Sequence, residues 1–452
     1  MKKNVILGLL VILLAVASCS FTNKSFETND KDKLLLDLIT YVLERGHYEP
    51  KDINDKFSSN VFEDFIDILD PTKRYFLASD IEEFEKYKYQ IDDQIKNTDI
   101  TFFNLVYQRL MKRMEEAKEL YAEVLDEPFD FKKEETINTD YAEVPYAKNR
   151  RELKERWRKQ LKYNALGVYD NKVKIRKTAM TTAEGDGSVS VDVDVPNLDP
   201  AQEELKNMTL AEVEIAARES TKNTLDDFFD FVDDLERKDW FVQYINTIVD
   251  EFDPHTFYFA PEEKDRFDIS MSGKFEGIGA RLQKKPEGAK VVEIISGGPV
   301  WQAKSLEVGD EILKVGQDGE EPIDIVGMRL DDAIKLIKGP KGTTVDLTVR
   351  KVDGTIDVVS ITRDVVELEE SYAKSASVIK DDRKYGLIHL PKFYVDFDDY
   401  TERNAATDVA KEVERLKQAG AEGLILDLRD NGGGSFQQLF SMNLLHYRVS
   451  QE

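Results

Sequence analysis

At 452 residues, with 41% hydrophobic and 34% charged content, the chain holds enough apolar material for several folded domains and is neither a disordered nor a fibrous sequence. Its 63 basic residues face 89 acidic ones, a net charge of −26, so nucleic-acid phosphates would be repelled and a neutral or basic polypeptide is the easier partner. A single cysteine excludes a disulfide within the chain and makes a cysteine protease or a thiolate metal site a poor reading.

Lys2 and Lys3 precede an apolar run from Val5 to Ala17, too short for a comfortable membrane span and laid out like an export signal. The run ends Val16-Ala17-Ser18-Cys19, which resembles a bacterial lipobox. That resemblance implies cleavage before Cys19, a diacylglycerol on its sulfur, and a periplasm-facing lipoprotein anchored to a membrane of the cell envelope without spanning it. Residues 19–32 are polar and read as a tether between lipid and fold.

From Lys33 to about Val124 the apolar residues recur at helical spacing, as in Leu34-Leu35-Leu36-Leu38-Ile39-Val42-Leu43, and the pattern resumes from Leu210 to Phe252, which predicts a helical domain over 33–260. Within it, the stretch Leu69 to Phe84 carries two helix-start signals, at Asp70-Pro71 and at Ser79 three residues before Glu82, and reads as a turn with an aromatic plug followed by a capped helix. Residues 144–166 read as a basic amphipathic helix around Trp157, and the interspersed Glu152 and Glu155 make it a solvated, ion-paired face rather than a nucleic-acid surface. The stretch 178–205 breaks the helical pattern and predicts an inserted segment, either an exposed loop or a disordered insertion. The acidic face at Asp226, Asp227, Asp230, Asp233 and Asp234 lacks histidine and a tight glycine loop, so no metal site is expected there.

After Pro261 the texture changes to short β-type runs divided by glycine, with one amphipathic helix from Leu330 to Ile337; this predicts a compact β-rich domain over 265–355. Gly277, Ile278, Gly279 and Ala280 precede a strand, so their N–H groups could receive a carboxylate, with Leu330, Ala333, Ile334 and Ile337 as the other wall of a groove. Nucleotide binding is a poor reading: Leu282 replaces the third glycine of a dinucleotide fingerprint, and Gly339-Pro-Lys-Gly lacks phosphate-loop spacing. A third unit over 384–452 follows βαβ order, from the strand at Tyr385 through a helix over about 398–418 to the strand at Leu424. It continues into the turn Leu428-Arg-Asp-Asn-Gly-Gly-Gly434.

The runs Phe275 to Leu282, Gly297-Gly-Pro-Val-Trp-Gln-Ala303, Leu306 to Leu313 and Ile337 to Thr343 follow the order of a PDZ domain, which 265–355 resembles. With Leu69 to Phe84, Asp253-Pro-His-Thr256 and the glycine turn, the chain resembles a tail-specific, or carboxy-terminal-processing, protease of the S41 class. The fold class this implies is multidomain α+β: a helical N-terminal domain, a PDZ-like domain and the start of an α/β protease domain.

The resemblance implies a serine endopeptidase that binds substrate C-termini through its PDZ domain, needs no cofactor, and accepts an adaptor protein as a further partner. In that family the serine nucleophile and lysine base lie downstream of the glycine turn, while Gly433 matches a glycine whose N–H helps form the oxyanion hole. The chain by itself is therefore expected to be proteolytically silent. Ser435 suits a helix N-cap better than a nucleophile, His47, His389 and His446 suit structural positions, His255 suits a turn, and no Gly-x-Ser-x-Gly elbow occurs. The alternative is a non-catalytic PDZ lipoprotein that binds protein C-termini.

Overall fold

The computed structural model describes residues 28–183, 200–317 and 319–449. Cys19, the export signal and the first part of the tether lie outside them. The chain divides into two compact units, ending and beginning at Tyr258 and Phe259. Among the described residues no helix is long and apolar enough to cross a membrane.

The first unit is helical: α1 (Thr28–Gly46), α2 (Asp55–Leu69), α3 (Ala78–Phe84), α4 (Ile91–Lys96), α5 (Thr101–Leu125), α6 (Arg150–Ala183), α7 (Pro200–Asn207), α8 (Leu210–Asp234) and α9 (Arg237–Asp250). α2 begins where the Asn54 side chain accepts the N–H groups of Lys56 and Phe57, at 3.0 and 3.2 Å. Its buried Phe57, Val61, Phe65 and Leu69 recur every four residues, one face of a helix. Phe65 and Phe103 meet Tyr244 with ring centres 5.0 and 5.6 Å apart, so α2, α5 and α9 share one aromatic core.

The turn with an aromatic plug and the helix after it are present in 69–84, with Tyr75 and Phe76 buried; the helix opens one residue ahead of Ser79, and no helix opens at Asp70-Pro71. Asp70 closes α2, and its buried carboxylate accepts the N–H groups of Arg74, Tyr75 and Phe76 at 2.7, 3.0 and 2.9 Å, a tight turn rather than a helix entry. α3 starts at Ala78, where Asp80 rather than Glu82 reaches back to the Leu77 N–H at 2.9 Å. Asp80 wins that role because it also anchors Arg109 and Arg113 from α5.

The basic helix is ion-paired throughout its start: Arg150 meets Glu119 and Glu123, and Arg158 meets Glu135 and Glu155. Trp157 is fully buried, its indole N–H on the Arg74 carbonyl at 2.8 Å. Only the flanks of the stretch predicted as an insertion over 178–205 are described, and they are helical: α6 runs to Ala183 and α7 resumes at Pro200. Packing overrides the weak local pattern there: Ala179 is buried, and Arg176 donates to the Met208 carbonyl at 2.7 Å. Residues 184–199 lie outside the described part.

The second unit opens with α10 (Pro261–Ser272), closed by Gly273 at φ 72°. Next come β1 (Lys274–Gly277), β2 (Ala280–Lys285), β3 (Gly288–Ile294), α11 (Pro299–Ala303), β4 (Glu311–Gln317), β5 (Ile323–Asp324), α12 (Leu330–Ile337), β6 (Thr344–Arg350), β7 (Ile356–Thr362) and β8 (Asp364–Glu367). The main sheet runs β2-β3-β4-β6-β7 with β5 against β4, while β1 pairs with β8. Alternation is clean in β6, where Val345, Leu347 and Val349 are fully buried beneath α12 and their neighbours are not. Beyond the predicted end at 355 the sheet continues, since β7 pairs residue for residue with β6 from Arg350↔Ile356 to Thr344↔Thr362. β7 is an edge strand with Ile356 and Val358 exposed, which blurs the alternation that would have marked it.

β9 (Lys374–Lys380), β10 (Arg383–His389), α13 (Ala405–Gln418), β11 (Gly423–Asp427) and α14 (Phe436–Val449) complete the unit. β10 and β11 are parallel and joined through α13, the expected βαβ order. β9 adds an antiparallel strand ahead of the predicted start at Lys384, and Tyr372 and Ala373 pack into the same core. α13 begins at Ala405 rather than near Asp398, because Asn404 accepts the Thr407 N–H at 3.0 Å while Asp396 and Asp399 hold the preceding residues in turns. At Gly386 a Cβ would lie 2.6 Å from Leu416 Cδ1, so only glycine lets α13 lie this close to β10.

Candidate functional site

β2 is the free edge of the main sheet, and α12 runs beside it. Between them lies a groove of about 480 Å³ lined by Phe275, Ile278, Ala280 and Leu282 on the strand side and by Leu330, Ile334 and Ile337 on the helix side. An apolar trough along an unpaired strand edge can take an extended peptide as one more strand, main chain on β2 and alternate side chains in the trough. The helix positions follow from spacing: Leu330 and Ile334, four apart, face the groove. Ala333 does not line it. At 2% exposure it faces the sheet core, which corrects its assignment to the wall.

Gly277 and Gly279 contribute backbone rather than wall. Gly279 sits at φ +81°, and a Cβ there would approach Gly298 Cα to 3.0 Å, so glycine is needed on both counts. The carbonyls of Ile278 and Gly279 accept the N–H groups of Val300 and Ile295 at 3.0 and 2.9 Å, which fixes the loop against the start of α11. Three ion pairs stand on the rim: Lys335 with Glu262 at 2.6 Å, Arg266 with Asp331 at 3.2 Å, and Arg281 with Glu370 at 3.1 Å.

Phe275, Leu282 and Lys338 also line the groove and were not singled out from the sequence as groove residues. The usable signal was position, since Lys338 directly follows the last apolar residue of α12 and Leu282 lies two residues beyond Ala280 on the same strand face. Arg363 was likewise missed. It is 3% exposed and donates to the Leu336 and Ile337 carbonyls at 3.0 and 2.8 Å, tying the end of α12 to the sheet.

The glycine turn is a second constellation in the same unit. Leu390 N–H donates to the Asp427 carbonyl at 3.0 Å, and the Asn431 side chain donates to the Leu390 carbonyl at 2.9 Å. Gly434 passes so close to Phe393 that a Cβ would meet its carbonyl oxygen at 2.5 Å. Gly433 has φ 103°, and its N–H donates to Asn431 Oδ1 at 2.8 Å, so in this structure that N–H is engaged rather than presented to an oxyanion. The expectation for Gly433 as a donor requires that bond to be exchanged. Ser435 directly precedes α14, and its carbonyl accepts from Gln438 and Leu439 at 3.1 and 3.2 Å. Arg429 pairs with Asp427, holding that carboxyl well below the usual range. In Asp253-Pro-His-Thr the carboxylate accepts the His255 N–H at 2.9 Å, a turn.

A larger cavity, about 930 Å³, lies in the helical unit, but its lining charges answer each other: Glu135 takes both Arg158 and Lys162 at 2.6 Å.

Residues 39–262 match the family described as tail specific protease N-terminal domain, 267–350 the PDZ domain, and 384–449 peptidase family S41. Over 417 residues the chain is 27% identical to a tail-specific protease of Haemophilus influenzae, covering 92% of this chain and 53% of that protein. It is 33% identical over 194 residues to the carboxy-terminal processing protease CtpA of Bacillus subtilis, covering 43% of this chain and 37% of that one. Among solved structures, the PDZ domain of a carboxy-terminal protease from Vibrio cholerae, crystallised with a peptide, is 45% identical and matches 21% of this chain and 99% of that chain, with a TM-score of 0.21. The chain thus spans about half the length, or less, of these curated relatives. The three modules in this order, and a tail-specific relative aligned along most of the chain, make it a member of the tail-specific S41 protease family, with a PDZ domain.

Proposed function

We propose that this chain captures the C-terminal ends of polypeptides in the groove between β2 and α12, as the recognition part of a C-terminal-processing serine endopeptidase. The observation that carries the reading is the groove itself: an apolar trough on a free strand edge, closed at one end by the Gly277–Gly279 loop. The acidic surface favours neutral or basic polypeptides as substrates. By family resemblance, cleavage uses a serine nucleophile and a lysine base that we assign to none of these 452 residues. The chain alone is then a binder. The 427–435 turn supplies one half of an oxyanion site once the Gly433 N–H leaves Asn431.

The test is peptide binding and casein cleavage on the same purified chain. We expect micromolar-range binding of a peptide with a free, apolar C-terminus, abolished by Ile334→Asp in the groove wall, and no cleavage. Turnover of casein that survives inhibitor controls for contaminating proteases would sink the silent-chain reading, and binding indifferent to Ile334→Asp would sink the groove. We further propose that Cys19 is lipidated and holds the protein in the envelope facing the periplasm, with an adaptor protein as a further partner. Palmitate labelling in a bacterial host should be lost with Cys19→Ser, and persistence of the label in that variant would contradict the anchor.

A further inference from the structure

We infer that Lys338 is the charged contact for the terminal carboxylate of a bound peptide, acting beside the open N–H groups of Ile278 and Gly279; this rests on the reading of the groove as a C-terminus site. Lys338 directly follows α12 and lines the groove. Its stem lies against the glycine loop, since a Cβ at Gly277 would be 3.7 Å from Lys338 Cγ. The ammonium stands 5.6 Å from the centre of the Phe275 ring, at the same end of the groove. Ile278 and Gly279 lie between β1 and β2; their carbonyls are occupied, while their own N–H groups meet no acceptor among the described residues. Loop and lysine together offer backbone donors and a cation to one anionic group.

Two ordinary roles for this lysine are already filled or absent. At a helix C-terminus a lysine commonly serves the last carbonyls, yet here Arg363 takes the Leu336 and Ile337 carbonyls and Gln317 shares the former at 2.7 Å. Nor is Lys338 held in an ion pair: Asp265 is near enough to favour its charge, but no carboxylate among the described residues reaches it within 4.0 Å. Burial holds the Lys338 ammonium below the ordinary lysine range, opposed by Asp265 and reinforced by Arg266. A partly dehydrated cation without a counter-ion gains more from an incoming carboxylate than a solvated one does.

The experiment is fluorescence anisotropy on the whole chain with a fluorescein-labelled peptide ending Val-Val-Val, supplied as the free acid and as the C-terminal amide. The wild type should prefer the acid. Lys338→Met, which keeps the stem, should lose about tenfold in affinity for the acid and nothing for the amide; Lys338→Arg should keep most of the preference. Undiminished acid binding by Lys338→Met, or an equal loss for acid and amide, would overturn the role of Lys338 while leaving the groove reading in place. Ile334→Asp distinguishes the two: if it leaves both affinities unchanged, or if the wild type binds neither peptide, the groove reading fails and the inference falls with it. Thermal melts of each variant separate lost contacts from lost fold.

Discussion

Asp70 and Asp80 lie ten residues apart in one motif and are both fully buried, yet their carboxyls are driven in opposite directions. Burial pushes Asp70 up to about 6, against three backbone N–H donors. Burial also pushes Asp80 upward, but Arg113, the Leu77 N–H and Arg109 outweigh it and hold it below the usual carboxylate range. Asp80→Asn would leave two arginines facing a neutral group, Arg113 only 11% exposed, and should cost about 3–5 kcal/mol in urea unfolding. The pH dependence has a defined sign. Because the folded carboxyl of Asp80 is the stronger acid, its contribution is whole above the unfolded value and is lost as pH falls through the folded one. The gap in stability between wild type and Asp80→Asn should therefore shrink only below about pH 4. Asp70 runs the other way, since its folded value near 6 lies above the ordinary 3.8, and its contribution declines as pH rises between them. A mutant gap that stays constant down to the acid transition would contradict the account of Asp80.

Among the elements, close backbone approach decides more than side-chain chemistry. Gly279→Ala adds a Cβ at φ +81° and 3.0 Å from Gly298 Cα, so it should cost about 1–3 kcal/mol and weaken peptide binding more than it lowers the melting temperature of the helical unit. Gly386→Ala drives a methyl group into Leu416 and should cost about 1–3 kcal/mol by prising α13 from β10, with equal binding to the groove. Asn404→Ala removes the α13 cap and should cost about 1 kcal/mol. Chemical denaturation alongside the anisotropy assay checks all three. Loss of peptide binding with Gly386→Ala in a folded sample would show that the two subdomains are coupled.

At the scale of the molecule, the described residues bury three separate apolar cores, one in the helical unit and two in the second. β11 and α14 are different. Ile425, Phe436 and Phe440 are 54%, 77% and 59% exposed, and β11 is an edge strand. Exposed apolar surface beside an unpaired edge promotes association. The chain should bind a hydrophobic dye and self-associate with rising concentration in light scattering, and Ile425→Lys with Phe440→Glu should reduce both. Unchanged dye binding in that double variant would place the sticky surface elsewhere.

What the sequence determined by itself was local or repetitive. The four-residue recurrence in α2, the span of α12 from Leu330 to Ile337, the βαβ order of β10, α13 and β11, and the glycine loop before β2 are all set by near neighbours and can be read along the chain. The family order of motifs added the PDZ and S41 modules. Tertiary structure alone decided the rest. Ala333 faces the core while Leu330 and Ile334 face the groove because the sheet lies on one side of α12. Asp80 rather than Glu82 serves α3 because arginines from α5 arrive beside it. The Gly433 N–H is turned to Asn431 because that side chain is tied to Leu390. Lys338 is left free of the last carbonyls of its own helix because Arg363, distant in sequence, already serves them. Each depends on groups distant in sequence meeting in space, and spacing along one chain carries no record of which partner arrives.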